Sequence, residues 1–363
     1  MRVAVMILAA SAGCSCPAEF AVLPTGRIVR QDAGGLDCSK IVEVEHPPEL
    51  DLPWNPGPSS EFGIVLRLFD GGVVVREIIL SPKGSADEST TWPRREISPQ
   101  MNVNILGRDG TLCGTTRDDA GHPQLRLELI DGGSAEPPSR GNCLAYANGW
   151  WASWENGNVV RGRSDWSETL GNWDAGVIPG VLPPGVVPSV EAISDDGEVG
   201  IFVNYRRPGS WLLPSGVELR APANEGTGYV LGFTNQGPYG SNYGAQRVPI
   251  KWDARGDAEP LNIGDAGTFV QLISIYSHSD GHFCGSVELA GAAFDSAVWW
   301  IADGGYVGPG FLRAHGVSID PVQCRPIGDD WYFVTHYPDA KLDGGLSARG
   351  ELVRLRLNCL TTY

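Results

Sequence analysis

The stretch Ile273–Phe311, ISIYSHSDGHFCGSVELAGAAFDSAVWWIADGGYVGPGF, decides the fold. It holds an Asp-Gly turn at Asp280-Gly281, a short strand from Phe283 to Val287 and an apolar run ending in Trp299-Trp300. A second turn, Asp303-Gly304, leads into a last strand from Tyr306. Asp-Gly between β-prone runs predicts a hairpin, because both residues tolerate positive φ.

Weaker copies of this unit recur. Val103–Thr116 (VNILGRDGTLCGTT) and Gln124–Gly133 (QLRLELIDGG) place turn glycines Gly110 and Gly132 22 residues apart, against 23 for Gly281 and Gly304. Glu191–Leu219 carries Gly197 and Gly216, with Trp211 ahead of the second turn as Trp300 is. Trp252 precedes a turn at Arg255-Gly256, and a last copy runs from Pro326 to Leu357. Two more hairpins centre on Asp70-Gly71-Gly72 and Asn156-Gly157. Second turns then fall at Gly71, Gly132, Gly157, Gly216, Gly256, Gly304 and Gly350. The later spacings of 40, 48 and 46 residues approach a four-stranded propeller blade, roughly 40–50 residues. The earlier spacings of 61, 25 and 59 are irregular. No segment beyond the N-terminus shows a sustained helical apolar stripe. The expectation is an all-β chain: a β-propeller of four-stranded antiparallel sheets, seven blades favoured over six, with radial closure protecting the edges.

The unit resembles the HAF-type extracellular repeat of bacterial exported proteins, roughly Asn/Asp-x-x-Gly-x-Val-x-Gly, a spacer, a small-aromatic-Trp run and a Gly turn. Ser194–Gly200 (SDDGEVG) matches the first half, Ser279–Gly285 and Arg108–Gly114 match with the middle apolar residue changed, and Ser296–Gly304 (SAVWWIADG) matches the second. The resemblance implies a propeller-like repeat outside the cytoplasm and brings no family-wide catalytic residues.

The N-terminus points the same way. MRVAVMILAASAGCSCPAEF has a basic residue, a short apolar run and small residues, which reads as an export signal over residues 1–20. Ala10-Ser11-Ala12 fits an ordinary secretory cleavage, whereas Ser11-Ala12-Gly13-Cys14 resembles a lipobox that would make Cys14 a lipid attachment site. Residues 21–60 read as a lead-in with one or two edge strands, and residues 61–363 as the repeat domain. The expected location is outside the cytoplasm: secreted, periplasmic or a cell-surface lipoprotein.

Composition narrows the partners. The chain of 363 residues is 42% hydrophobic, with 48 Gly and 27 Pro, which suits many short strands and turns. A net charge of −16 argues against nucleic acid and anionic membrane as partners. A membrane contact is expected only through a lipid anchor, the partner is a protein or a glycan, and the chain is expected to be a monomer. Beyond the signal lie Cys38, Cys113, Cys143, Cys284, Cys324 and Cys359, an even set without zinc spacing, which an exported chain uses for disulfides. A Cys324–Cys359 pair would staple the last repeat and Cys38 would tie down the N-terminal segment. Buried free thiols are the alternative for Cys113 and Cys284, which occupy matching strand positions.

No metal or cofactor site is expected. The histidines His46, His122, His278, His282, His315 and His336 show no ligand spacing. The turn carboxylates Asp109, Asp196, Asp280 and Asp303 recur at equivalent positions, as residues that bond their own turn do. There is no nucleophile elbow and no phosphate loop. The ligand-binding candidates are His278 and His282, which flank a turn, and Trp166 and Trp173 in the Trp-rich loop 161–188. Indole faces there suit sugar rings. The expected function is a non-enzymatic binding or interaction scaffold. The alternative is a lectin or carbohydrate-active enzyme using the propeller face and that loop.

Overall fold

The structure is a computed structural model. It describes residues 41–46, 54–70, 73–84, 90–91, 94–98, 100–172, 188–203, 209–222, 227–243, 248–261, 269–277, 282–289, 296–301, 305–308, 312–313, 315–317, 323–327, 330–336 and 349–356. The export signal with Cys14, and also Cys38, Trp173, His278 and Cys359, lie outside them.

The described chain is almost wholly strand. After β1 (Val42–Glu45), the first sheet is formed by β2 (Trp54–Ser60), β3 (Gly63–Asp70), β4 (Val73–Leu80) and, beyond the two-stranded pair β5 (Lys83–Gly84) and β6 (Thr90–Thr91), β7 (Arg94–Glu96). The second holds β8 (Asn102–Leu106), β9 (Leu112–Arg117), β10 (Pro123–Glu128) and β11 (Ser134–Ala135). The third holds β12 (Asn142–Ala147), β13 (Trp150–Glu155), β14 (Asn158–Gly162) and β15 (Ser167–Asn172). The fourth holds β16 (Ser189–Ile193), β17 (Val199–Val203), β18 (Gly209–Leu213) and β19 (Glu218–Leu219). The fifth holds β20 (Thr227–Thr234), β21 (Gly237–Tyr243), β22 (Pro249–Trp252) and β23 (Ala258–Pro260). The sixth holds β24 (Phe269–Ser277), β25 (His282–Leu289), β26 (Ser296–Ile301) and β27 (Gly305–Val307). The last takes β28 (Gln323–Ile327), β29 (Trp331–His336) and β30 (Arg349–Leu355), and β1 completes it as the outer strand.

All pairings within these seven four-stranded sheets are antiparallel, with the sheets arranged radially. The inner strands pack in succession, β2 on β8, then β12, β16, β20, β24 and β28, and β28 returns to β2. Apolar clusters fill the junctions. Cys113, Leu125, Cys143, Trp151 and Val160 join the second and third sheets, and Leu66, Ile78, Ile327, Trp331 and Phe333 join the first and last. Because a middle strand is covered on both faces, β17 (VGIFV) and β18 (GSWLL) are buried at every residue. The fold is a β-propeller.

Several readings change here. β1 and β2 fall inside the expected lead-in, yet both are blade strands, and β1 pairs with β30 from Val42↔Leu355 to Glu45↔Leu352. β2 (WNPGPSS) is broken by two prolines, and β1 (VEVE) is short and pairs with the far end of the chain, which leaves no local signal. Of the second-turn glycines, Gly132, Gly216 and Gly256 sit between third and fourth strands. Asn156-Gly157 instead joins the second strand β13 to the third, β14, and Gly350 lies within β30. Mixing these positions produced the irregular spacings. Trp154 lies on a second strand and is half-buried, whereas Trp252 and Trp299 sit buried on third strands. Ser167–Asn172, read as loop, is the outer strand β15.

The turns themselves fall into two kinds. Asn148-Gly149 and Asn156-Gly157 have positive φ at both residues (46° and 82°; 48° and 81°), the two-residue hairpin type. The turns with Asp before Gly put only glycine there. Around Asp109, the Gly107 amide donates to Thr111 O and the Gly110 amide to Gly107 O, and the pattern repeats at 129–133. Such three-residue turns end in a glycine bulge.

Two disulfides are described, Cys113–Cys143 and Cys284–Cys324. Each ties the second strand of one blade to the inner strand of the next. Cys113 and Cys284 are thus bonded and not free thiols, and Cys324 pairs with Cys284 and not with Cys359. The matching positions noticed in the sequence are one repeated inter-blade staple.

Candidate functional site

Seven inner strands end around one central cavity of about 420 Å³. Its wall takes Ser59 and Ser60 from β2, Ile105 and Leu106 from β8, Ala145 to Ala147 from β12 and Glu191 to Ile193 from β16. Leu231 to Thr234 of β20, Tyr276 of β24 and Pro326 of β28 complete it, with Tyr239 and the turn residues Glu61, Arg108, Asp195, Asp196 and Asn235. Successive antiparallel strands alternate in direction, so this mouth also carries the turns between first and second strands.

The inner strands do not run straight into it. Six of them shift register: between Pro56 and Ser59, Val103 and Ile105, Cys143 and Ala145, Val190 and Ala192, Val230 and Gly232, and Leu272 and Ser274. A bulge turns its extra residue out of the ladder and re-aims the side chain. Glu191 and Leu231 are two such residues, and both face the cavity. Asn104 is another, and its amide donates to Cys143 O on the next inner strand at 2.7 Å.

Two phenols meet carboxylates here. Tyr229 on β20 donates to Glu191 Oε2 at 2.6 Å, bridging two blades. Burial of Glu191 raises its pKa above the ordinary glutamate value, outweighing the hydrogen bonds from Tyr229 and Ser189 that favour its charged form. Tyr146 on β12 donates to Asp109 Oδ2 at 2.8 Å and accepts the Gly149 amide at 3.2 Å. Burial, with Asp109 adding to it, pushes the Tyr146 phenol up to about 12. Two cations are already engaged: Arg108 lies 3.9 Å from Glu61, and Arg325 donates to Gly57 O while stacking on Tyr276.

The residues singled out in the sequence lie elsewhere. His282 is half-buried at the start of β25. Trp166 sits between β14 and β15, 39% exposed, edge-on to Trp150 at 5.6 Å between ring centres. Arg161 and Arg163 lie 4.9 and 4.7 Å from the Trp150 ring. Arg161 also holds Glu168 at 2.7 Å and donates to Gly197 O of the neighbouring blade. Trp166 therefore caps a platform at the blade edge, in a different blade from His282. Of the turn carboxylates, Asp109 bonds its own turn through Oδ1, which accepts the Thr111 amide, as Asp253 does those of Arg255 and Asp257, while Asp280 and Asp303 lie outside the described residues. Among the described residues no group of three His, Cys, Asp or Glu could hold a metal ion. Glu191 was missed, although one signal was present: a lone carboxylate flanked by Val190 and Ala192.

No profile of a known protein family matches the chain, and no curated protein sequence matches it. Solved structures do. One is from a structural and mechanistic study of two prolyl endopeptidases, with TM-score 0.51 and 9% identity over 84% of this chain and 50% of that one. This chain thus spans half the length of that enzyme. YCF48 bound to D1 peptide gives TM-score 0.47 at 13% identity, over 87% of this chain and 96% of that chain. BamB from Moraxella catarrhalis gives 0.35 at 13%, over 86% and 100%. At such identities the likeness concerns the fold alone.

Proposed function

We propose that the chain is an exported, seven-bladed β-propeller serving as a non-enzymatic binding scaffold for a protein partner, engaged at the central cavity. One observation carries the reading: inner strands of all seven sheets converge on a single polar-rimmed cavity, and each contributes different side chains. A repeat alone would line it uniformly, so the variety is what a ligand-specific surface needs. Export fits the two inter-blade disulfides, which persist in oxidising compartments, and it fits the HAF-type motifs. Attachment through Cys14 is part of the proposal. Detergent, and not salt, is expected to release the native protein from membranes, and Cys14→Ser to abolish the attachment.

The binding role is tested by plugging the mouth. Peptides selected on the immobilised protein are expected to lose binding to Ala147→Arg, which fills the cavity from the end of β12. Equal binding to both proteins would defeat the reading, and so would chemical conversion of the bound ligand. A second reading, glycan binding, rests on the exposed indole of Trp166 held by Trp150. A glycan array that gives a signal removed by Trp166→Ala would favour it.

A further inference from the structure

We infer that the central cavity receives a cationic group on a slim stem, an alkylammonium or guanidinium, with Glu191 as its counter-charge. The inference rests on the scaffold reading and names its ligand chemistry. Glu191 stands at a bulge in β16, which aims it into the cavity. Its hydrogen-bond partner across the blade junction is the neutral Tyr229, at 2.6 Å, and Ser189 is the other group that bonds it. β20 faces it with the Tyr229 phenol, whereas Tyr146 of β12 lines the same cavity and bonds Asp109. A half-buried carboxylate held by neutral donors lacks the cation that would offset its lost hydration.

The surroundings suit a cation. Tyr239 and Phe233 line the wall, and ring faces attract ammonium and guanidinium groups; Tyr276 already holds Arg325. The exposed Asp195 and Asp196 stand at the rim on the turn that follows β16. Of the cations nearby, Arg108 lies 3.9 Å from Glu61, and Arg325 bonds the Gly57 carbonyl and stands over Tyr276. The volume, about 420 Å³, lies at the lower end of ligand sites, roughly 300–1,000 Å³. That accommodates one long side chain with its flanking backbone, and the acidic chain as a whole, at −16, draws basic ligands toward it.

The probes are acetyl-Gly-Lys-Gly-amide, its Arg and Glu counterparts, and free cadaverine, titrated calorimetrically into the full-length protein. Wild type is compared with Glu191→Gln and with Glu259→Gln, an exposed control on β23. The Lys and Arg peptides are expected to bind wild type and the control alike. Binding to Glu191→Gln should weaken by about tenfold or more, as loss of a hydrogen-bonded charge partner in a partly dry site does. A native circular dichroism spectrum confirms that the variant is folded. Equal binding to Glu191→Gln, or preference for the Glu peptide, overturns the cationic assignment. If Ala147→Arg still blocks that binding, the scaffold reading stands. Cadaverine binding lost in Glu191→Gln, without any peptide binding, keeps the cation and removes the protein partner. Absence of all binding at millimolar ligand overturns the inference.

Discussion

Two tyrosine–carboxylate pairs stand at the same mouth and do opposite work. In the first, Asp109 belongs to a turn: its Oδ1 holds the Thr111 amide and its Oδ2 takes the Tyr146 phenol of the next blade. In the second, Glu191 belongs to a strand bulge, and only its side chain reaches Tyr229. Burial raises the phenol in the first pair and the carboxyl in the second. A carboxylate that bonds its own backbone is part of the turn. One displaced from the ladder by a bulge is left for something else to use.

The turn pair is expected to break hardest. Gly110 has φ +78°, and a Cβ there would stand 2.8 Å from the Phe62 ring of the preceding blade. Gly110→Ala should therefore cost about 2–4 kcal/mol in urea unfolding, from left-handed strain plus the clash. Gly132→Ala, with φ +88° and nothing within 4 Å of its Cβ, should cost only the backbone part, about 1 kcal/mol. Equal costs would remove the turn's role as a packed joint.

Next comes Tyr146→Phe, expected to cost about 1–3 kcal/mol by stranding polar partners around a buried ring. Its phenol, raised to about 12, stays neutral in the fold after an unfolded tyrosine ionises near 10. The unfolded state then binds fewer protons, so this group's contribution falls as pH rises between those values. Tyr146→Phe should remove that part of the alkaline loss, read from melting temperature against pH.

Glu191→Gln is the smaller change, and its sign separates the pairs. A glutamate raised above 4.5 in the fold makes stability fall as pH rises past that value, because the folded state holds the proton longer. Glutamine carries no such cost and can still accept from Tyr229. The variant should melt above wild type at neutral pH, and the gain should shrink as pH falls toward 4.5. A variant less stable than wild type at pH 7 would make Glu191 a structural residue like Asp109. Smallest is Trp166→Ala, expected to cost about 0.5–1.5 kcal/mol through its edge contact with Trp150.

What the sequence made legible follows the same division. Turns announce themselves locally, since Asp and Gly are needed within three residues of each other, and buried middle strands such as Val199–Val203 read as apolar runs. Outer strands do not: Ser167–Asn172 is partnered on one edge only and keeps no apolar period. The closing strand Val42–Glu45 depends on a partner at the opposite end of the chain. The cavity was hidden for a related reason. Its residues come from seven strands, and the bulges that aim Glu191 and Leu231 leave the composition unchanged. Trp166, conspicuous by type, sits at a blade edge against Trp150 and does not line the cavity.

The most direct test of the account is the titration of Glu191 itself, followed by carbon-13 NMR of selectively glutamate-labelled protein with Glu191→Gln to assign the signal. The account predicts a carboxyl titrating above the ordinary glutamate range in the free protein and falling when acetyl-Gly-Lys-Gly-amide is added. A Glu191 that titrates in the ordinary range and ignores the peptide would contradict it.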